Sequence, residues 1–359
     1  MATAGESSGL TIAITGASGY VGTKLVSLLS QDDRVERILG FDVVRPKGAT
    51  PRKFVFDEMD VRNPALATRF EGADVVIHLA FVMDPIRDEG LMRDINVNGS
   101  QNVFKSAGKA GVGKIVYTSS ATVYGAHPDN DLPLTEDSPL RANLDFSYPA
   151  HKLEVEYVVR EIEEEYPDLI LTVFRPSVVF GPHVDSAWSH LLEMPLLFGV
   201  QGYRPPLQFI HEDDVARALQ FAVFKDLGGI YNLAPEGWLE YDEVLALLGK
   251  RRVDLPEPMA FSLAERMWGL GVGEAPAGML HYVMHPWVVG TGKLTEAGFR
   301  CRHSNLDALS QTVDKTKGRV RVARRSVEKR DLRRGASATL ALAGGALLWR
   351  GLRLRGQRT

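Results

Sequence analysis

Three glycines at a spacing of three, Gly16, Gly19 and Gly22, follow the short apolar run 10–14 and open a helical pattern carried by Leu25, Val26, Leu28 and Leu29. A strand, a glycine turn and a helix start, in that order, form a phosphate-binding device. Gly16 permits the tight turn, Gly19 lets the backbone approach a pyrophosphate, and Gly22 lets helix and strand pack closely. The helix N-terminus adds unpaired N–H groups and the positive end of its dipole. The spacing is G-x-x-G-x-x-G rather than the commoner G-x-G-x-x-G, and taken alone it also fits an ordinary glycine turn. The next apolar run, 37–42, ends in Asp42, 20 residues after Gly22. A carboxylate there meets the adenosine ribose hydroxyls, so the expected ligand is a dinucleotide, NAD in preference to NADP. Arg45 and Lys47 keep a 2′-phosphate open. Asp60 reads either as a partner of the adenine amine or as a turn residue.

Tyr148 and Lys152, four apart, lie on one face of a helix that continues through Leu153, Val155, Val158, Val159 and Ile162. By spacing alone they are an ordinary surface pair. Ser119 and Ser120 end the apolar run 114–118. His78, His151 and His211 read as structural or surface residues, and no group of ligand-type residues has metal-site spacing, so no metal is expected.

The elements that must hold these residues alternate in type. Apolar runs at 10–14, 37–42, 53–56, 73–80, 114–118 and 169–176 are separated by helical stretches, the pattern of a doubly wound parallel α/β sheet. Ligands of such sheets bind at the carboxyl ends of the strands, so Gly16, Asp42, Ala80 and Ser120 are expected to converge on one crevice.

These pieces share order and spacing with one family. Thr15-Gly-Ala-Ser-Gly-Tyr-Val-Gly22, Asp42, His78-Leu-Ala80, Asn96, Ser119-Ser-Ala-Thr-Val-Tyr-Gly125, Tyr148-x-x-x-Lys152, Arg175-Pro176 and Phe-Ile-His211 resemble the extended short-chain dehydrogenases/reductases, also called the NAD-dependent epimerase/dehydratase family, over roughly residues 10–310. The resemblance implies a Rossmann-type NAD-binding domain over 9–180, rejoined by 208–235. A smaller substrate-binding region would come from 181–207 and 236–312. It further implies an NAD-dependent oxidoreductase or epimerase acting at a secondary alcohol or ketone. Tyr148 would be the acid/base, Lys152 would hold the ribose hydroxyls, and Ser120 would hydrogen-bond the reacting oxygen. Cofactor contacts are implied for Gly16, Ser18, Gly19, Tyr20, Val21, Gly22, Asp42, Asp60, Val61, Leu79, Ala80, Phe81, Asn96, Tyr148, Lys152 and Pro176. A free phenol titrates near 10, so Tyr148 needs a nearby cation to act as a base at neutral pH; Lys152, one turn along, is expected to supply it. A homodimer is implied by the resemblance only.

Departures from the pattern bear on the substrate. Nucleotide-sugar members typically carry Arg-Pro-x-Asn, whereas this chain reads Arg175-Pro-Ser-Val178. They also tend to have Arg two residues before the aromatic of the Phe-Ile-His211 segment, where Leu207 stands, although Arg204 is near enough in sequence to reach in. Trp188, Leu191, Leu192, Met194, Leu196, Leu197 and Phe198 crowd the expected lid, and Phe81 replaces a small residue. Three alternatives therefore stand: a UDP-sugar 4-epimerase or related nucleotide-sugar enzyme, a hydroxysteroid-dehydrogenase-like enzyme on an apolar membrane-borne substrate, and a non-catalytic NAD-sensing protein. The apolar lid residues also fit a plain lid core.

Composition adds bounds. With 45% hydrophobic and 24% charged residues, the body reads as globular. A single cysteine, Cys301, and an N-terminus without a secretory signal point to a reducing, cytoplasmic compartment. From 315 to 359 there are 14 Lys and Arg against two acids, a net +12, which leaves the body at −15. This tail carries an uncharged run, 335–349, closed by Arg350, Arg353 and Arg355. Its readings are a peripheral anchor on the inner membrane face, a helix packed on the body or a partner, and a disordered end. Nucleic-acid binding has no recognition motif to support it.

Overall fold

The central sheet has seven parallel strands in the order β10-β6-β5-β4-β1-β2-β3 in a computed structural model that describes residues 9–194, 196–271, 273–317, 319–322 and 325–328. Its strands are β1 (Leu10–Thr15), β2 (Val35–Asp42), β3 (Phe54–Glu58), β4 (Val75–His78), β5 (Lys114–Thr118), β6 (Ile170–Pro176) and β10 (Gly229–Leu233). Two short pairs lie outside it: β7 (Val178–Phe180) beside β9 (Phe209–His211), and β8 (Leu197–Val200) beside β11 (Arg252–Leu255). The sheet strands read as continuous apolar runs because helices cover both faces.

On one face, α1 (Tyr20–Ser30) and α7 (Glu212–Phe224) bury Leu25, Leu29, Val215, Leu219 and Ala222 against Ile12, Ile14 and Ile77. On the other, α2 (Leu66–Arg69), α4 (Gly99–Lys109) and α5 (Ser147–Glu165) bury Leu66, Val103, Phe104, Val155 and Ile162 against Ala13, Val76 and Ile115. Between α2 and α4, α3 (Glu89–Arg93) runs into a π-helical turn, Asp94–Asn98. The winding direction reverses between β1 and β4, and that switch point opens the crevice expected of such sheets.

A further apolar cluster joins Phe146, Phe180, Phe209, Tyr282 and Trp287, tying the segment that carries α6 (Ala187–Leu191) to the C-terminal elements. The helix Asn305–Thr316 precedes an antiparallel pair, Arg319–Val322 with Arg325–Glu328. Residues 329–359, with the uncharged run 335–349, lie outside the described residues, and so does most of the tail reading. No described helix is long and apolar enough to cross a membrane.

Candidate active site

The glycine turn has the tightness its residue types suggest. Gly16 sits at φ +72°, and a Cβ there would meet the Ala80 amide nitrogen at 2.6 Å; one on Gly22 would lie 2.3 Å from the Gly16 carbonyl oxygen. Gly19 is the N-cap of α1, and no side chain caps that helix, so its first amides face the crevice as an anion site. Asp42, at the end of β2, accepts from the Ser18 amide at 3.0 Å and the Val44 amide at 3.1 Å. A carboxylate has about four lone-pair sites, so two remain for a diol. Thr118, at the end of β5, lines the same crevice with a buried hydroxyl that has no hydrogen-bond partner. The crevice thus offers an anion cradle, a free acceptor and an unsatisfied hydroxyl, which fits a dinucleotide.

Where the crevice meets a second cavity stands Tyr148, on the first turn of α5. Burial pushes its phenol up to about 12, opposed by the Ser120 side chain. Ser120 in turn accepts from the Thr122 hydroxyl at 2.9 Å. Lys152 is buried and donates to the Thr118 carbonyl at 2.7 Å. Its ammonium lies 3.6 Å from the Phe81 ring centre and 5.9 Å from that of Tyr148. Burial takes it well below the usual lysine range, against the opposing charge of Glu156. The expectation that Lys152 lowers the phenol pKa is therefore corrected: its charge is spent on the Thr118 carbonyl and the Phe81 face, and desolvation dominates at Tyr148.

Behind these residues lies a closed polar network. Arg175 and Glu156 are 1% and 2% exposed and pair through Nη2–Oε2 at 2.5 Å and Nε–Oε1 at 2.9 Å. Ser119 donates to Glu156 at 2.5 Å, Arg175 to the Tyr124 hydroxyl at 2.7 Å, and Tyr124 to Asn232 at 2.7 Å. One buried ion pair thus pins β5, α5, β6 and β10 to one another, and with them the backbone of Ser120 and the helix that carries Tyr148 and Lys152.

Of the predicted cofactor residues, Gly16, Gly19, Tyr20, Val21, Gly22, Asp42, Asp60, Val61, Leu79, Ala80, Phe81, Tyr148, Lys152 and Pro176 line the crevice. Ser18 does not: its hydroxyl donates to the Val44 carbonyl. Asn96 lies fully buried beneath it, clasping the main chain of Val82 through both amide atoms, at 2.7 and 3.0 Å. Asp60 is held by Arg62 at 2.7 Å, which keeps its carboxyl below the ordinary range. Sequence reasoning did not name Val43, Met59, Val82, Met83, Ile95, Thr118, Ser119 and Val179 as cofactor contacts. Those at 43, 59, 82 and 95 adjoin predicted positions, and that adjacency was the available signal.

The three histidines fall where expected. His78, bridged to Thr15 at 2.7 Å and Ser100 at 2.8 Å, is driven to about 3 by burial. His151 is buried beside Asn96. His211 stacks on His303 away from the crevice. With Asp213 these two histidines form a trio whose ligand atoms lie within 4.8 Å, a grouping the sequence hid by placing His303 about 90 residues on. Asp213 pairs there with Lys24 at 2.5 Å, and His303 with Asp214 at 2.9 Å.

The second cavity, on the far side of Tyr148, is walled by Met83, Phe146, Val178, Trp188, Met279 and Trp287. Of the seven apolar lid residues singled out in the sequence, only Trp188 lines it. Leu191 and Leu192 pack into the apolar cluster, while Leu196 and Phe198 face outward at 37% and 52% exposure. Leu207 pairs with Leu239 through the main chain, and Arg204 turns away to the exposed Asp242.

A profile of the NAD dependent epimerase/dehydratase family matches residues 12–234. An uncharacterized protein of Mycobacterium tuberculosis is 27% identical over 307 residues, covering 83% of this chain and 82% of its own. The N-acetyl-alpha-D-glucosaminyl-diphospho-ditrans,octacis-undecaprenol 4-epimerase of Escherichia coli O157:H7 is 30% identical over 177 residues, covering 47% of this chain and 49% of its own. Among solved structures, the Thermus thermophilus UDP-glucose 4-epimerase in complex with NAD aligns at 21% identity with a TM-score of 0.67, over 86% of this chain and 99% of that one. With well over half of its length matched, and with the doubly wound sheet and glycine turn in place, this chain is a member of the NAD-dependent epimerase/dehydratase family of enzymes, of the extended short-chain dehydrogenase/reductase type.

Proposed function

We propose that this chain binds NAD in the crevice and catalyses hydride transfer at a secondary alcohol or ketone held in the adjoining cavity. The observation that carries the reading is the place of Tyr148, which lines both the crevice and the adjoining cavity, with Lys152 on the crevice side and Ser120 on the cavity side. When bound, NAD supplies a hydride acceptor or donor at C4 of its nicotinamide. Ser120 holds the reacting oxygen, and Tyr148 gives that oxygen its proton in reduction and takes it in oxidation. Lys152, donating to the Thr118 carbonyl and to the Tyr117 hydroxyl, keeps one further N–H donor for a ribose hydroxyl. Asp42 receives the adenosine ribose, which favours NAD over NADP. Intact Ser120, Tyr148 and Lys152 argue against a non-catalytic sensor.

A second reading, nucleotide-sugar epimerisation with the cofactor regenerated in each turnover, is supported by the names of the Escherichia coli and Thermus relatives. The test is the absorbance of NADH in purified protein given NAD and a panel of secondary alcohols, with Tyr148→Phe as control. Net NADH that disappears in the variant, with NAD affinity intact, supports the proposal. Equal NADH formation by the variant refutes the role of Tyr148.

A further inference from the structure

We infer that a groove at the amino-terminal edge of the central sheet, remote from the crevice, binds a small phosphorylated metabolite through Arg300 and Arg302. The groove, of about 500 Å³, runs between the exposed side of α7 and the segment 298–302 and reaches Arg34. Arg34 immediately precedes β2, so the groove lies at the amino ends of the strands, whereas the crevice opens at their carboxyl ends. The 11 residues of α1, at about 1.5 Å each, put roughly 16 Å between the glycine turn and the turn that leads to Arg34. The groove shares no lining residue with the crevice or with the cavity beyond Tyr148.

Five cations line it, Arg34, Arg217, Lys225, Arg300 and Arg302, and among the described residues no Asp or Glu does. This segregation stands in a body that carries a net −15. Three of the five are engaged: Arg34 pairs with Asp32 at 2.8 Å, Arg217 with Asp214 at 2.6 Å, and Lys225 donates to the Ala297 carbonyl. The guanidinium groups of Arg300 and Arg302 have no partner among the described residues. Burial alternates along the chain there. Phe299 is buried and Cys301 packs against the core, while Arg300 and Arg302 are exposed, so one short stretch carries both guanidinium groups to the same side. The remaining wall is apolar: the rings of Phe221 and Phe299 lie 5.6 Å apart, and the Arg34 guanidinium sits 3.5 Å from the centre of the Phe224 ring.

Like charges gathered in one groove repel, and a groove lined by a single sign focuses its potential on an incoming counter-ion. A phosphoryl group brings about −1.5 to −2 charges at neutral pH and three acceptor oxygens. Two guanidinium forks match it, since each can donate two parallel N–H bonds to phosphate oxygens. A lone carboxylate brings half that charge and one oxygen fewer. The phenylalanines offer the organic part of the ligand an apolar wall, and the volume falls within the roughly 300–1,000 Å³ of small-molecule sites.

The test is titration calorimetry on the full chain saturated with NAD, which occupies the anion cradle at the start of α1. The probes are phenyl phosphate and inorganic phosphate. Phenyl phosphate should bind saturably, one per chain, and more tightly than inorganic phosphate. Arg300→Gln/Arg302→Gln should weaken it at least about tenfold, with NAD affinity and melting temperature unchanged. Unchanged phenyl phosphate affinity in that double variant would overturn the inference, because the variant keeps all 14 Lys and Arg of residues 315–359 and the anion would then be held there or elsewhere. Absence of saturable binding by the wild-type chain would overturn it as well. Equal affinity for the two probes would overturn the assignment to a metabolite and leave a site for inorganic phosphate.

Discussion

Replacing Glu156 by Met removes one half of the ion pair that joins β5, α5, β6 and β10, and strands the guanidinium of Arg175 in a site where it is 1% exposed. Two carboxylate contacts, at 2.5 and 2.9 Å, are lost together with the acceptor of Ser119. Breaking a buried pair by removing one partner costs about 3–5 kcal/mol, because the remaining charge has neither water nor counter-ion. For a domain of this size each kcal/mol moves the midpoint by about 2 °C, so Glu156→Met should unfold roughly 6–10 °C lower. The double variant Glu156→Met/Arg175→Met removes both desolvation penalties and should recover most of that loss. Arg175→Met alone leaves the Glu156 carboxylate buried without its counter-ion and should also destabilise the fold. Calorimetric or circular-dichroism melts of the four proteins, each at two pH values, form the double-mutant cycle. A fall of under about 1 kcal/mol in Glu156→Met would refute the argument, as would a double variant worse than either single one.

Further expectations concern the crevice and the titrating groups. Gly22→Ala places a methyl 2.3 Å from the Gly16 carbonyl, so titration calorimetry should find NAD affinity reduced by more than about tenfold. Tyr148, pushed up to about 12 by burial, is protonated throughout the neutral range. Alcohol oxidation should therefore accelerate with pH well past neutrality while ketone reduction stays flat; a pH–rate profile for oxidation that levels off below pH 7 would contradict this. His78 is depressed to about 3, so between an unfolded value near 6.5 and that point the unfolded chain binds the extra proton. Stability is present above pH 6.5 and declines as pH falls, and denaturant melts should show a shallower decline in His78→Gln.

The site was legible in proportion to how local its determinants are. Gly16, Gly19 and Gly22 signal a turn because backbone geometry at three neighbouring positions admits little else, and Asp42 follows from the length of one βαβ unit. Tyr148 and Lys152 share a helix face by spacing, and that is what spacing can give. It could not say where the ammonium points. Lys152 is aimed at a carbonyl one strand away, so its effect on the phenol was misjudged from sequence distance alone. Asn96 shows the same limit: a polar residue in the right stretch of chain became a buried clasp for Val82. The trio of His211, Asp213 and His303 had no local trace at all.

The alternation of apolar runs and helical stretches determined the doubly wound sheet, since only a sheet covered on both faces buries such strands. The glycine turn and Asp42 determined the nature of the ligand site, because tight backbone geometry and short-range spacing are written in consecutive residues. Tertiary structure alone decided the chemical character of the cavity beyond Tyr148. Its wall joins Met83, Phe146, Val178, Trp188, Met279 and Trp287, from segments as much as 204 residues apart (287 − 83). Which side chain faces a cavity depends on how separate elements pack, and no local pattern along the chain encodes that.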